Sequence, residues 1–345
     1  MDSYIHNLNQ KIQFSNAPLV SICCITYNQK SYIRKAIESF LMQRTNFPFE
    51  IIIHDDASSD GTAEIIKEYQ GMFPDIIHPI FQNENQYKHY SLNLQFKYVF
   101  PKTNGKYIAI CEGDDYWIDP LKLQKQVDFL ENNSEYGLVH TRAFVFDEKN
   151  NTVKKISGID VQSFESLITE DTVANLTVCF RKDLLLKYIG DIDPISKKNW
   201  TTTDFPMWLW MIQNSKFKFM DDITAVFLSR STSISHHIDL KKRLFFTQGI
   251  YDIIDYYLIQ YQGNKKFVSQ IRARYRSNLV CMYFQTKSYL ELKRSLYIFM
   301  NANDWLNVVW LLITYPLLYS NFFIRASYKI RNIFFAIIGK YKNMN

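Results

Sequence analysis

The chain has 345 residues, 47% hydrophobic and 21% charged, enough apolar material for one large domain and a smaller one. Its 10 glycines include no pair at GxG spacing, which excludes a dinucleotide-binding glycine fingerprint. The net charge of +6 sits mostly at the end, where Arg325, Lys329, Arg331, Lys340 and Lys342 follow Asp304 with no acidic residue among them, so the main body gives no support for a nucleic-acid partner.

In chain order, residues 1–16 form an N-terminal extension that lacks a charged segment followed by an apolar one, so no signal peptide is expected. LVSICCITYN (19–28) is a short, β-branched apolar run that predicts a buried strand, and SYIRKAIESFLMQ (31–43) places Ile33, Ile37 and Phe40/Leu41 on one helix face. FEIIIHDDASSDGT (49–62) repeats the plan, with Asp60 or Thr62 as the cap of the following helix. HPIFQN (78–83) predicts a third strand, 91–105 an amphipathic helix, and KYIAICEGDDYW a further strand. Helix is expected again over 120–133, strand over 138–148, irregular chain over 149–170, and a strand passing into helix over 172–189. A polar loop then leads into an aromatic helix (199–215), and 217–231 reads as a hairpin or edge strand. Strands alternating with helices predict an α/β fold with a mainly parallel sheet flanked by helices. A largely helical region follows from 238 to 345. Cys23, Cys24, Cys111 and Cys179 fall in apolar strand-like stretches, and no two cysteines form a CxxC pair, so reduced core thiols are expected in a cytoplasmic body.

Open sheets of this kind bind ligands beyond the carboxyl ends of their strands. Polar residues collect at three such ends: Thr26, Tyr27 and Asn28 after the first strand, Asp55 and Asp56 after the second, and Glu112, Asp114 and Asp115 after the fourth. Three carboxylates within four positions repel one another unless something positive joins them, so the cluster asks for a cation. Mg²⁺ and its relatives take one or two carboxylates together with substrate phosphates. An acidic turn capping the helix after Pro120 is the plainer alternative. Asp204, in the polar loop TTTD ahead of an apolar helix, is a candidate general base or a helix cap, and the two roles are compatible. Trp200, Phe205, Trp208 and Trp210 recur at helical spacing, which favours core over sugar stacking.

The ordered set VSICCITYN, EIIIHDDASSDGT, GKYIAICEGDDYWIDPLKL and TTTDFPMWLW resembles a family-2 glycosyltransferase of the GT-A fold over roughly residues 17–235, with residues 17–237 as the transferase domain. The resemblance implies a nucleotide-sugar donor, most often a UDP-sugar, a divalent metal (Mn²⁺ or Mg²⁺) at a DxD-like motif, and inverting transfer. Carried over by position, Thr26, Tyr27 and Asn28 line the nucleotide pocket, Asp56 meets the base, and Asp114 meets ribose or metal. Asp115 is then the main metal ligand, Glu112 stands where the family more often has Asp, His236 is a weaker metal candidate, and Asp204 is the base. Thr203 replaces the usual Glu or Gly ahead of that base.

WLNVVWLLITYPLLYSNFFI (305–324) is long and apolar but is interrupted by Asn307, Pro316 and Asn321, and basic and aromatic residues follow it. That pattern predicts a helix lying on anionic lipid at the inner face of the membrane, with a helical cap on the catalytic domain as the alternative and a true span as the least favoured reading. A surface contact suits an acceptor that is a saccharide or an undecaprenyl-linked saccharide, as in bacterial capsule, O-antigen or other surface polysaccharide synthesis. A nucleotidylyltransferase is the rival enzyme, but TYNQKSYIRK lacks the glycines its first loop would need. A non-catalytic nucleotide-binding scaffold on the same fold is the rival non-enzyme.

Overall fold

The structure is a computed structural model that describes residues 17–90, 93–170, 173–230, 239–286 and 288. His236, His237 and the basic, aromatic segment after 304 lie outside the described residues. The chain divides into two compact units, residues 1–238 with 252–257, and residues 239–251 with 258–345.

In the first unit, β1 (Val20–Thr26) and β2 (Phe49–Asp55) are apolar on both faces, as a sheet covered on both sides requires. They pair in parallel from Val20–Phe49 to Thr26–Asp55. β3 (Ile77–Phe81) adds in parallel outside β2, and β4 (Tyr107–Ile110) in parallel on the other side of β1. The crossovers are α1 (Lys30–Leu41), which buries Ile33, Ala36, Ile37, Phe40 and Leu41, and α2 (Thr62–Met72), which buries Ile66 and Tyr69. Asp60 accepts from the Thr62 N–H at 3.0 Å, so it caps α2 from just outside, as expected.

Beyond β4 the sheet becomes mixed. β5 (Tyr116–Trp117), β6 (Tyr136–Asp147), β7 (Thr152–Ser157), β8 (Cys179–Arg181) and β9 (Lys216–Ser229) complete the order β3-β2-β1-β4-β8-β6-β9-β5, with β7 on β6. β8 runs antiparallel to β4, whereas β6 and β9 are parallel to each other. The predicted hairpin or edge strand at 217–231 is corrected here. β9 is one long strand held between β6 and the two-residue β5, so it is neither hairpin nor edge. The predicted helix over 91–105 is also shorter: a wide turn over Gln95–Val99 runs into a tight turn at Phe100–Lys102. Pro101 has no N–H to continue a helix there. The stretch 149–170, expected to be irregular, holds β7 and α4 (Phe164–Thr169), after α3 (Lys122–Asn132) and before α5 (Lys182–Ile192). Ser163 accepts from the Ser166 N–H at 3.2 Å and starts α4.

α6 (Asp204–Asn214) buries Phe205, Trp208 and Trp210, the core reading of that aromatic stripe, and Trp208 meets Phe180 edge-on at 5.5 Å. The four described core cysteines are free thiols and buried. α7 (Leu240–Gln260) belongs to the second unit except for Asp252–Tyr257, and within that unit it is tied to α8 (Lys265–Gln285) by Gln248 Nε2 donating to Tyr283 Oη at 3.0 Å and Arg276 Nε donating to Tyr251 Oη at 2.9 Å. Among the described residues no helix is long and apolar enough to cross a membrane.

At the amino ends of the central strands, the buried Glu50 carboxylate accepts from Ser21 Oγ at 2.5 Å and from the Asn104 N–H at 2.6 Å. The Gly105 N–H closes the ring onto Ser21 Oγ at 2.8 Å. A Cβ on Gly105 would stand 2.5 Å from the Ser21 nitrogen and 2.7 Å from the Val20 carbonyl carbon, both backbone atoms. Gly105→Ala is therefore expected to destabilise the protein by about 2–3 kcal/mol, measured by urea unfolding. Wild-type stability in that variant would show that the ring can yield.

Candidate active site

Two loops at the carboxyl ends of β1 and β2 are laced together. The Asn28 N–H donates to Ser58 Oγ at 2.8 Å, and the Ser59 N–H returns a bond to Asn28 Oδ1 at 2.9 Å. The Gln29 N–H donates to Thr62 Oγ1 and the Lys30 N–H to Asp60 Oδ2, each at 2.9 Å. Asn28 and Ala57 both adopt positive φ, 50° and 61°. Left-handed backbone is costly for an alanine and persists where the surroundings impose it, often at a ligand site. Thr26 is buried with its Oγ1 unpartnered, while Tyr27 is 49% exposed and available to a planar ligand.

Asp55 and Asp56 behave differently from one another. Asp55 accepts from Ser58 Oγ at 2.5 Å and from the Ser58 N–H at 3.1 Å, so it holds its own loop. Asp56 accepts from the N–H groups of Gln86 at 2.7 Å and Tyr87 at 3.1 Å. The residue expected to meet a nucleobase thus also pins the 84–87 segment over the strand ends.

The acidic cluster follows β4. Gly113 passes so close to β1 that a Cβ there would stand 2.6 Å from Gln29 Oε1 and 2.9 Å from Thr26 Oγ1. Asp115 is buried, and its Oδ1 accepts the Leu228 N–H of β9 at 2.8 Å. Burial and then the charge of Asp114 hold its carboxyl well above the usual range. Asp114 pairs through Oδ2 with the Arg230 guanidinium, while its Oδ1 is buried without a partner. Burial raises the Asp114 carboxyl and Arg230 opposes the rise. Glu112 is exposed at its surface but is crowded by the other carboxylates of the site. Desolvation, then the charges of Asp114 and Asp204, push its carboxyl up to about 8.

Asp204 opens α6 and faces the cluster closely enough for its charge to bear on Glu112. Its Oδ1 accepts from the Phe205 N–H at 2.8 Å and from the Thr202 hydroxyl, so it takes a first-turn N–H from the first helical position, while Thr203 is the N-cap. The structure therefore sets Asp204 within electrostatic reach of Glu112, the first residue of the acidic cluster. Thr26 borders it through Gly113, and Asn28 is one residue from Gln29, which touches the same glycine. The sequence alone does not single out Arg230 or Gln29. Their only signals are an arginine closing the apolar run TAVFLSR and a polar residue extending TYN.

Hard carboxylate oxygens and the unpartnered Asp114 Oδ1, Thr26 Oγ1 and Gln29 Oε1 suit a divalent cation of the Mg²⁺ or Mn²⁺ type. Among the described residues no three His, Cys, Asp or Glu side chains converge as a complete metal site. A cation held here would need further oxygens from water or a ligand.

The chain matches the model for glycosyl transferase family 2 over residues 21–184. It is 31% identical over 216 residues to an uncharacterized glycosyltransferase of Methanocaldococcus jannaschii, covering 61% of this chain and 69% of that one. The chain belongs to glycosyltransferase family 2. It spans about half the length of other curated relatives it matches, 47% of proteins to which it is 38% identical over 166 residues. Two solved structures share the fold. One is S. aureus TarS 1–349 in complex with UDP-GlcNAc, with a TM-score of 0.52, 16% identity, and 77% and 72% of the two chains covered. The other is the mannosyltransferase PcManGT from Pyrobaculum calidifontis in complex with GDP-Man and Mn²⁺, with a TM-score of 0.52, 14% identity, and 92% and 88% covered.

The raised Glu112 carboxyl fixes the sign of a pH effect. Its folded pKa of about 8 lies above the ordinary 4.5, so its contribution to stability is complete below 4.5 and lost as pH rises towards 8. Metal-free wild type should lose melting temperature relative to Glu112→Gln as pH goes from 5 to 8. A constant difference between the two melting temperatures across that range would show that Glu112 ionises freely.

Proposed function

We propose that the protein is an inverting, metal-dependent glycosyltransferase that moves a sugar from a nucleotide-sugar to a saccharide or lipid-linked saccharide acceptor. The observation that carries this reading is the set of buried, unpartnered oxygens of Asp114, Thr26 and Gln29 beside the acidic cluster at the carboxyl end of β4. Asp115 and Asp114 hold the cation, with Glu112 beside them. When bound, such a cation offsets the negative charge of the departing diphosphate as a Lewis acid. Thr26, Tyr27 and Asn28 take the nucleotide, with Tyr27 offering an exposed ring and Asp56 keeping the 84–87 segment in position. Asp204 accepts the proton of the acceptor hydroxyl. The hydroxyl oxygen then bonds to the anomeric carbon as the bond from that carbon to the diphosphate oxygen breaks, and the configuration inverts in one displacement. Fixing Asp204 Oδ1 to the Phe205 N–H and the Thr202 hydroxyl sets the carboxylate before the acceptor arrives.

UDP is the nucleotide to test first, since the family resemblance favours it and a fold neighbour binds UDP-GlcNAc, although another binds GDP-Man with Mn²⁺. The five basic residues after Asp304 support a contact with anionic lipid and, with it, an acceptor at the membrane face in surface polysaccharide synthesis.

Titration calorimetry of UDP into the protein should show binding that strengthens at least about tenfold with Mn²⁺ and loses that gain in Asp115→Ala. Binding indifferent to metal and to Asp115 would remove the donor-site reading. Asp204→Asn should keep UDP affinity within about twofold and lower kcat by roughly 10²–10⁴, the usual worth of a general base. Tight nucleotide binding with no turnover in the wild type, across donor sugars, would favour the scaffold.

A further inference from the structure

We propose that Arg230 is the resident counter-ion of the acidic cluster, holding Asp114 while the nucleotide site is empty, and that a divalent cation must displace it to load. This rests on the reading of the cluster as a cation seat. Arg230 directly follows β9, the strand whose Leu228 N–H holds Asp115. One strand end therefore supplies a fixed donor to one carboxylate and a mobile cation to its neighbour. The guanidinium meets Asp114 Oδ2 and lies 5.1 Å over the Tyr32 ring. The Tyr32 hydroxyl in turn donates to Glu148. Arg230 keeps 25% of its side chain exposed and Asp114 12%, so the pair is partly open to solvent.

The pairing is incomplete. Arg230 reaches only Oδ2 of one of the three carboxyl groups, and Asp114 Oδ1 remains buried with no partner. A fully structural ion pair would satisfy both oxygens, as Arg34 does by reaching both oxygens of Glu68. Arg230 instead covers half of a carboxylate at the point where a dication would sit. Once displaced, its planar fork suits a phosphate oxygen pair, so cation and diphosphate would load together.

The test is Mn²⁺ binding to the full chain, followed by electron paramagnetic resonance of free Mn²⁺, in wild type, Arg230→Gln and Arg230→Lys, without and with UDP. Without UDP, Arg230→Gln should bind Mn²⁺ on the order of tenfold tighter than wild type, with Arg230→Lys between them, the size expected for loss of one close competing charge. UDP should strengthen Mn²⁺ binding more in wild type than in Arg230→Gln, because only wild type has a guanidinium to draw away. Equal Mn²⁺ affinity in all three proteins without UDP would overturn the displacement and leave the cation seat standing. Mn²⁺ bound by none of them even with UDP would overturn the seat and the proposal together. Should Arg230→Gln fail to melt cooperatively, the comparison of Arg230→Lys with wild type decides.

Discussion

The structure depends on keeping three carboxylates at the end of a buried strand. Two like charges about 4 Å apart repel by ~4 kcal/mol at the effective dielectric of a protein surface. A neutral hydrogen bond returns only about 1 kcal/mol, so no single contact offsets the repulsion. The chain answers by anchoring the backbone on either side. Gly113 wedges against Thr26 and Gln29. Four residues on, the Trp117 N–H donates to Ser39 Oγ at 3.0 Å, its indole N–H donates to the Leu176 carbonyl at 2.8 Å, and its ring meets Phe40 at 5.0 Å. Lys122 is fully buried with its Nζ 4.3 Å over the same ring and 2.9 Å from Gln126 Oε1. Burial pushes that ammonium down to about 8. The acidic turn is therefore clamped by α1, α3 and β9, which lets it carry charge that would otherwise push it apart.

The two ends of the central sheet show that this arrangement is not a general habit of the fold. Glu50 at the amino end is as buried as Asp115, yet its two oxygens take donors from Ser21 and from the backbone and side chain of Asn104. At the carboxyl end, Asp114 Oδ1, Thr26 Oγ1 and Gln29 Oε1 are buried and unpartnered. Desolvated oxygens without donors cost about 1–3 kcal/mol each, and native structures keep few of them. Leaving three in one place, beside left-handed Asn28 and Ala57, supports a site whose missing donors or cation arrive with the ligand.

Much of this was legible in the sequence where the signal is local. The parallel core β1, β2 and β4 follows from apolar β-branched runs, and the site follows from what stands at their ends. The aromatic stripe of α6 reads as core and is core. What was not legible depends on pairing across distance. β9 begins 69 residues after β6 ends, counting from Asp147 to Lys216, and nothing local says that it lies between β6 and β5. Arg230 is invisible for the same reason, since its meaning comes from a carboxylate 116 positions away. The hold of Asp56 on residues 86 and 87 was hidden because its donors are backbone N–H groups, which every residue carries and no motif marks.

For Asp204, a hold on the helix start and the proposed role as base are compatible on the same physical grounds. The helix N-terminus presents unpaired N–H groups and a partial positive charge, and a carboxylate there is held and oriented at little cost. Asp204 uses Oδ1 for this. The bond that stabilises the start of α6 thus also fixes the rotamer of the carboxylate. A helix of buried Phe205, Trp208, Leu209 and Met211 makes that start point rigid, because α6 cannot slide without exposing its aromatic face. Separate anchors, α6 for Asp204 and the Trp117 clamp for the acidic turn, fix the two parts of the proposed site independently of one another.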